Sequence, residues 1–130
     1  MTFALLSGFA LGGTRLAAGT STATFQAVSD ENVPYSQAAA RTVPTSSKVT
    51  WVVGNVHVVG SATQVKYLRA RVETAPGSGL YLTWVLGETG SGDTTWRDHM
   101  AAFPVRPGCR WYIDRGNTTE TFTTVREVAE

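Results

Sequence analysis

Residues 79–114 read GLYLTWVLGETGSGDTTWRDHMAAFPVRPGCRWYID and contain three of the four tryptophans of the chain. Apolar and polar residues alternate along much of this stretch, and turns rich in glycine and proline interrupt it. Alternation with a period of two predicts β-strands, because successive side chains of a strand point to opposite sides. The residues predicted to face a core are Leu80, Leu82, Trp84 and Leu86 of a first strand, and Cys109, Trp111 and Ile113 of a later one.

The segment 48–59, KVTWVVGNVHVV, extends the β pattern and is apolar on both sides, with Trp51 on one side and Val52 on the other. An antiparallel strand with one solvated side is apolar on the other side only. We therefore expect this strand either to lie in the centre of the fold or to contact another subunit through its outer side. Gly54 and Asn55 in its middle indicate either a bulge or a turn that splits the strand.

Two more strands are indicated by QVKYLRARVET (64–74), which alternates like a half-buried strand, and by TTETFTTVREV (118–128). Between Ile113 and the second of these, DRGN (114–117) is typical of a hairpin turn. Seven or eight short strands with glycine and proline turns predict an all-β fold, a single β-sandwich or jelly-roll domain.

The N-terminal part is less regular. Residues 1–28 form short alternating runs separated by glycines, and residues 29–47 are polar and contain Pro34 and Pro44. Proline lacks a backbone donor and restricts the residue before it, so neither a central strand nor a long helix is expected to cross these sites. We therefore divide the chain into an extended N-terminal arm with peripheral strands, residues 1–47, and a sandwich body, residues 48–130.

Composition excludes several classes of partner. Charged residues make up 16% of the chain, below the roughly 25% of ordinary domains, and the net charge is only +1. We expect no nucleic-acid binding, because no cluster of Lys and Arg is present to neutralise phosphates. No apolar run reaches the length of a membrane span. The start MTFALLSGFALGG lacks the positively charged residues of a signal peptide, so secretion is retained only as an alternative location.

No chemical signature is recognisable. The lone Cys109 cannot form an internal disulfide, and His57 and His99 do not have metal-ligand spacing. We therefore expect no enzyme, no metal and no cofactor. The glycine-rich loop GETGSGDT (87–94) is instead a candidate binding loop, with Trp96, Glu88 and Asp93 as candidate ligand-binding residues.

The β-sandwich pattern, the Ala-, Thr- and Gly-rich N-terminal arm, the single cysteine and the 19 threonines together resemble virion components of tailed bacteriophages, such as capsid decoration, head-spike or tail-fibre proteins. The resemblance implies a location in the virion and a symmetric homo-oligomer, often a trimer, that contacts other virion proteins. The residues expected at the subunit interface are Trp51, Val53, Val59, Phe3 and Phe9. The alternative function is a carbohydrate-binding, lectin-like module, and with either function a surface glycan is a candidate partner.

Overall fold

A computed structural model describes residues 7–8, 10–11, 24–46 and 48–129, and most of them belong to β-strands. Two short 3-10 turns span Asp30–Asn32 and Gln37–Ala39. No helix within the described ranges is long and apolar enough to cross a membrane. The strands are β1 (Ser7–Gly8), β2 (Ala10–Leu11), β3 (Thr24–Val28), β4 (Arg41–Thr42), β5 (Thr50–Val59), β6 (Lys66–Glu73), β7 (Tyr81–Thr89), β8 (Trp96–Val105), β9 (Arg110–Arg115) and β10 (Thr121–Ala129).

Eight of these strands form two four-stranded antiparallel sheets that pack face to face. Sheet I has the order β3-β10-β5-β8 and sheet II the order β4-β9-β6-β7. Counted from β3, the first strand pairs with the eighth, the second with the seventh, the third with the sixth and the fourth with the fifth. This nested pairing is a jelly roll. The predicted all-β sandwich is therefore confirmed, and it has the jelly-roll form.

The hairpin predicted at residues 114–117 is wrong. β9 and β10, which this segment joins, belong to different sheets, so the chain crosses from one layer of the sandwich to the other. A turn signal marks where a strand ends, but it does not determine which sheet receives the next strand. Among the eight sandwich strands, β6 and β7 are consecutive in sequence and paired in one sheet.

Large aromatic side chains fill the centre of the core between the sheets. Trp111 packs edge-on against Phe103 with ring centroids 5.6 Å apart, and Phe103 also contacts Phe122 at 6.2 Å. β5 runs through Gly54 without a break in its pairing to β8, so the turn predicted there does not occur. Its pairing to β10 shifts register between Val53 and Asn55, so a bulge does occur opposite Gly54, with the extra residue in β10. A Cβ atom on Gly54 would lie 2.8 Å from the Phe122 ring. The glycine therefore makes room for this ring.

Residues 24–46 are part of the sandwich. β3 pairs with β10 at one edge of sheet I, and β4 pairs with β9 at one edge of sheet II. Val28, Val33 and Val43 are buried in the common core. Both sheets therefore include strands from before the boundary predicted at residue 48. The earlier part of the predicted arm, including Phe3 and Phe9, lies outside the described residues except for β1 and β2.

Of the four residues predicted to face the core along this stretch, Leu80 just before β7 and two residues of β7 are not buried. Leu86 is buried, but Leu80, Leu82 and Trp84 are 67%, 55% and 42% exposed. Leu82 and Trp84 lie opposite Val72 and Ala70 of β6, and so they share the inner side of sheet II with those buried residues. However, β7 is the edge strand of the sheet. Alternation identifies the two sides of a strand, but it does not show whether the other sheet extends far enough to cover one of them.

A buried carboxylate links the two sheets. Glu127 of β10 accepts a 2.8 Å hydrogen bond from the indole Nε1 of Trp111 in β9. It also accepts hydrogen bonds from Nη2 and Nε of Arg41 in β4, at 2.9 and 3.3 Å. Glu127 is only 4% exposed, so this charge depends on its two partners for the hydrogen bonds it would otherwise make with water. The three residues therefore join the core, the last strand and the early edge strand β4.

Replacing Glu127 should destabilise the protein much more than replacing Glu88. Both glutamates pair with an arginine at 2.9 Å, but Glu88 is 39% exposed in its pair with Arg69. We expect Glu127→Ala to lower the free energy of unfolding by about 2–4 kcal/mol, because Trp111 and Arg41 lose a buried partner. Glu88→Ala should cost about 1 kcal/mol or less. Chemical denaturation of both variants measures the difference, and equal losses would contradict the role given to Glu127.

Candidate functional site

The outer side of sheet I is rich in apolar residues at one end. The strand register aligns Phe25, Val128, Trp51 and Pro104 in one row across all four strands. The adjacent row on the same side of the sheet contains Ala27, Arg126, Val53 and Ala102. We call the seven apolar residues of these two rows the apolar face. Because the other side of sheet I already packs on sheet II, this sheet is apolar on both sides.

The apolar face is accessible in the described part of the chain. Phe25 is 69% exposed, and Trp51 and Val53 are half-buried. Arg126 is exposed among these residues, and its side chain makes no hydrogen bond or ion pair with any other described residue. The sequence placed Trp51, Val53 and Val59 on one side of their strand, and all three lie on the outer side of β5. Their role at a subunit interface stays a prediction.

The opposite end of the same outer surface carries a different set of residues. Trp96, at the start of β8, is 67% exposed and pairs with Val59. Nδ1 of His57 lies 2.6 Å from Oδ1 of Asp98, directly across the strand pair. The His57 ring meets the Trp96 ring at 6.3 Å and 70°. We call Trp96, His57 and Asp98 the aromatic end of sheet I.

The two acids predicted to act with Trp96 are engaged elsewhere. Glu88 pairs with Tyr67 in the sheet register and binds Arg69, on the outer side of sheet II, whereas Trp96 lies on the outer side of sheet I. Hydrogen bonds from the hydroxyl and the backbone N–H of Thr95, together with Arg97, hold the pKa of Asp93 below its usual value. The structure therefore does not bring Glu88 and Trp96 together.

Sequence reasoning missed the pair formed by His57 and Asp98, which are 41 residues apart. Asp98 and His99 are neighbours in the sequence and lie on opposite sides of β8. His99 points inward and its Nε2 lies 2.7 Å from the carbonyl oxygen of Leu86. Alternation along each strand could have indicated part of this pair. His57 lies on the same side of β5 as Trp51, and Asp98 lies on the same side of β8 as Trp96.

The outer side of sheet II is polar and its charges are paired. Arg69 binds Glu88 at 2.9 Å, Arg71 lies 3.5 Å from Asp114, and Arg110 binds Glu73 at 3.1 Å. Tyrosine rings lie beside these guanidinium groups, with Arg69 4.0 Å above the ring of Tyr67. Paired charges and tyrosines of this kind suit a surface in contact with water. The two outer surfaces of the sandwich therefore differ in character.

Glu73 is the buried charge of this surface. Burial by itself would raise its pKa, but hydrogen bonds from the Arg110 side chain, the Gly79 N–H and the Arg110 N–H outweigh burial and lower it. The carboxylate thereby fixes both the turn before β7 and the start of β9. The nearby Cys109 thiol is buried, and this burial is the main reason that its pKa is raised.

Glu73 should make the stability of the protein sensitive to acid. Because its pKa is lower in the folded state, its contribution to stability is present above its ordinary value of 4.5 and is lost as the pH falls through the folded value. We expect Glu73→Gln to be less stable than the wild type at neutral pH, with the difference shrinking below about pH 4.5. Thermal unfolding measured from pH 7 to 3 tests this, and parallel curves for the two proteins would contradict it.

Comparison with protein-family models, with curated proteins and with solved structures gave no match to this chain. Across the described residues, no group of three or more His, Cys, Asp or Glu side chains is arranged to hold a metal ion. The jelly-roll form occurs in viral capsid proteins, in lectins and in cupins. Since one fold supports several functions, the surfaces of the sandwich have to carry the functional argument.

Proposed function

We propose that the protein is a structural virion component of the capsid-decoration, spike or fibre type, which assembles as a symmetric oligomer through the apolar face. The observation that carries this proposal is the apolar outer side of sheet I, where Phe25 is 69% exposed, together with a sheet II whose outer charges are paired. An assembly protein has to place one surface against its neighbours and another against water. In this proposal the outer side of sheet I contacts the neighbouring subunits, and the outer side of sheet II contacts water.

Covering the apolar face would be favourable. Fully burying one large apolar side chain such as Phe25 contributes about 1.5–3 kcal/mol relative to leaving it in water. Soluble monomers rarely expose a continuous apolar patch of more than a few hundred Å². Two rows that span all four strands, interrupted only by Arg126, are more typical of a protein–protein interface than of a free surface.

The occupant that fits best is a second copy of the chain. The inner side of sheet I already packs against another flat sheet, and the apolar face offers the same kind of layer on the other side. An interface between permanently associated identical subunits resembles a domain core divided in two. A second copy also presents little opposing net charge, since the formal charge of the chain is +1. The apolar face therefore favours a two-fold contact between equivalent surfaces.

This two-fold contact refines the expectation drawn from the sequence. An interface in which each copy uses the same surface produces dimers, or larger assemblies built from dimers. The proposal thus favours an even number of copies over the trimer that the phage resemblance implies. The jelly roll, which recurs in viral capsid domains, and the weakly charged, threonine-rich composition support the virion part of the proposal.

Charge placed on the apolar face should abolish assembly. We expect the wild type to be an oligomer and Phe25→Glu/Val53→Glu to be a folded monomer, because burying two carboxylates in the contact is unfavourable. Val85→Glu is the matched control, since Val85 is 60% exposed but lies opposite Arg69 on the outer side of sheet II. Size-exclusion chromatography with light scattering gives the mass of each protein, and circular dichroism reports its folding.

A wild type that is monomeric at all concentrations, or a Val85→Glu variant that dissociates as fully as the double variant, would contradict the proposed contact. The virion part is tested with phage particles that lack the chain. Wild-type protein should sediment with particles of the correct phage, and the double variant should do so much more weakly. Failure of the wild type to bind the particles of its own phage would contradict a virion role.

A further inference from the structure

We propose that the aromatic end of sheet I is a carbohydrate-binding site, in which Trp96 stacks against a sugar ring while Asp98 and His57 bind its hydroxyl groups. This site is separate from the contact proposed above. The nearest members of the two surfaces on β5, Val53 and His57, are four residues apart, which corresponds to about 13 Å at roughly 3.3 Å per residue. The two surfaces therefore share no residue.

The indole ring of Trp96 provides a fixed apolar surface. Trp96 lies in the regular pairing of β8 with β5, opposite Val59, so its backbone position is set by the sheet. Trp96 is 67% exposed, and the His57 ring contacts it from one side with the ring centroids 6.3 Å apart. A pyranose ring has an apolar face of C–H groups, and a flat aromatic side chain can bind this face while its own polar edge stays hydrated.

Polar groups suitable for sugar hydroxyls lie beside the ring. An ionised carboxylate only accepts hydrogen bonds, so Nδ1 of His57 donates to Oδ1 of Asp98 and the ring is held in place. Neither Oδ2 of Asp98 nor Nε2 of His57 has a hydrogen-bond partner among the described residues. Thr121 lies opposite His57 on β10 and adds a hydroxyl to the same row. A hydroxyl group can both donate and accept, and this row offers partners for both.

The character of the site favours a neutral sugar over other ligands. Asp98 repels phosphates and other anions, and the nearest arginine, Arg97, is bound to Asp93 and Thr95. A cage for a quaternary ammonium needs several aromatic faces, whereas the described part of this site has one indole and one imidazole with their planes 70° apart. The surface is formed by two regularly paired strands, and its single indole suits a ligand that stacks on one side.

Trp84 is also exposed, but it lacks the polar neighbours that Trp96 has. It is 42% exposed on β7 of sheet II, so a soluble ligand can reach its ring as well. Its neighbours on the same side of the sheet, however, are Leu82 and the buried Ala70. Trp84 therefore has an apolar ring without the adjoining carboxylate and imidazole, and it serves as a matched control.

The test begins with an array of immobilised oligosaccharides probed with the labelled full chain. The free oligosaccharide with the strongest signal is then titrated into the ¹⁵N-labelled protein, and the indole N–H signals are followed by NMR. The Trp96 signal is identified by its loss in Trp96→Ala. We expect this signal to shift on titration, and we expect Trp96→Ala and Asp98→Asn each to weaken binding roughly tenfold or more.

Trp84→Ala should leave the affinity within about twofold of the wild type, a difference too small to reflect a lost stacking contact. Comparing it with Trp96→Ala also controls for folding, because both variants lose an exposed indole from a strand. Absence of binding to every oligosaccharide on the array would overturn the proposal. It would also be overturned by binding that survives Trp96→Ala, or by an equal loss in Trp84→Ala. The Phe25→Glu/Val53→Glu monomer should still shift the Trp96 signal, so this test is independent of the assembly contact.

Discussion

The hydrogen bond from the buried indole of Trp111 to Glu127 is the interaction on which the sandwich depends. A tryptophan placed between two sheets must find a partner for its N–H, because an unpaired donor there would cost about 1–3 kcal/mol. Glu127, in the opposite sheet, supplies the acceptor at 2.8 Å. Its charge in turn needs a cation, which Arg41 provides from the short strand β4. One core side chain thereby ties together both sheets and residues that precede the predicted body.

The composition of β5 and of the strands of sheet II explains why the two outer surfaces of the sandwich differ. β5 is central in sheet I, between β10 and β8, and it carries apolar residues on both sides. Sheet II covers one side completely, as the buried Val52, Val56 and Val58 show. The other side receives no layer from the described part of the chain. Sheet II instead has arginine pairs and tyrosines on its outer side.

Alternation in the sequence was sufficient to predict most of the core. It assigned Trp111 and Ile113 correctly, because β9 is flanked by strands on both sides and its inner side is fully covered. It failed for Trp84, because an edge strand has the same period as a central one. The partners Arg41 and Glu127 are 86 residues apart, and no local pattern links them. The same limit applies to His57 and Asp98, whose pairing follows from the register of β5 and β8.

We propose that the apolar face packs against a second copy of itself, and an experimental structure of the assembled protein tests this contact most directly. We predict that the outer sides of two sheets I face each other about 10 Å apart, as layers of a sandwich do. Phe25, Trp51 and Pro104 of each copy should be buried in the contact, with the aromatic end around Trp96 left accessible. An assembly in which the apolar face remains in contact with solvent, or in which sheet II forms the contact, would contradict this account.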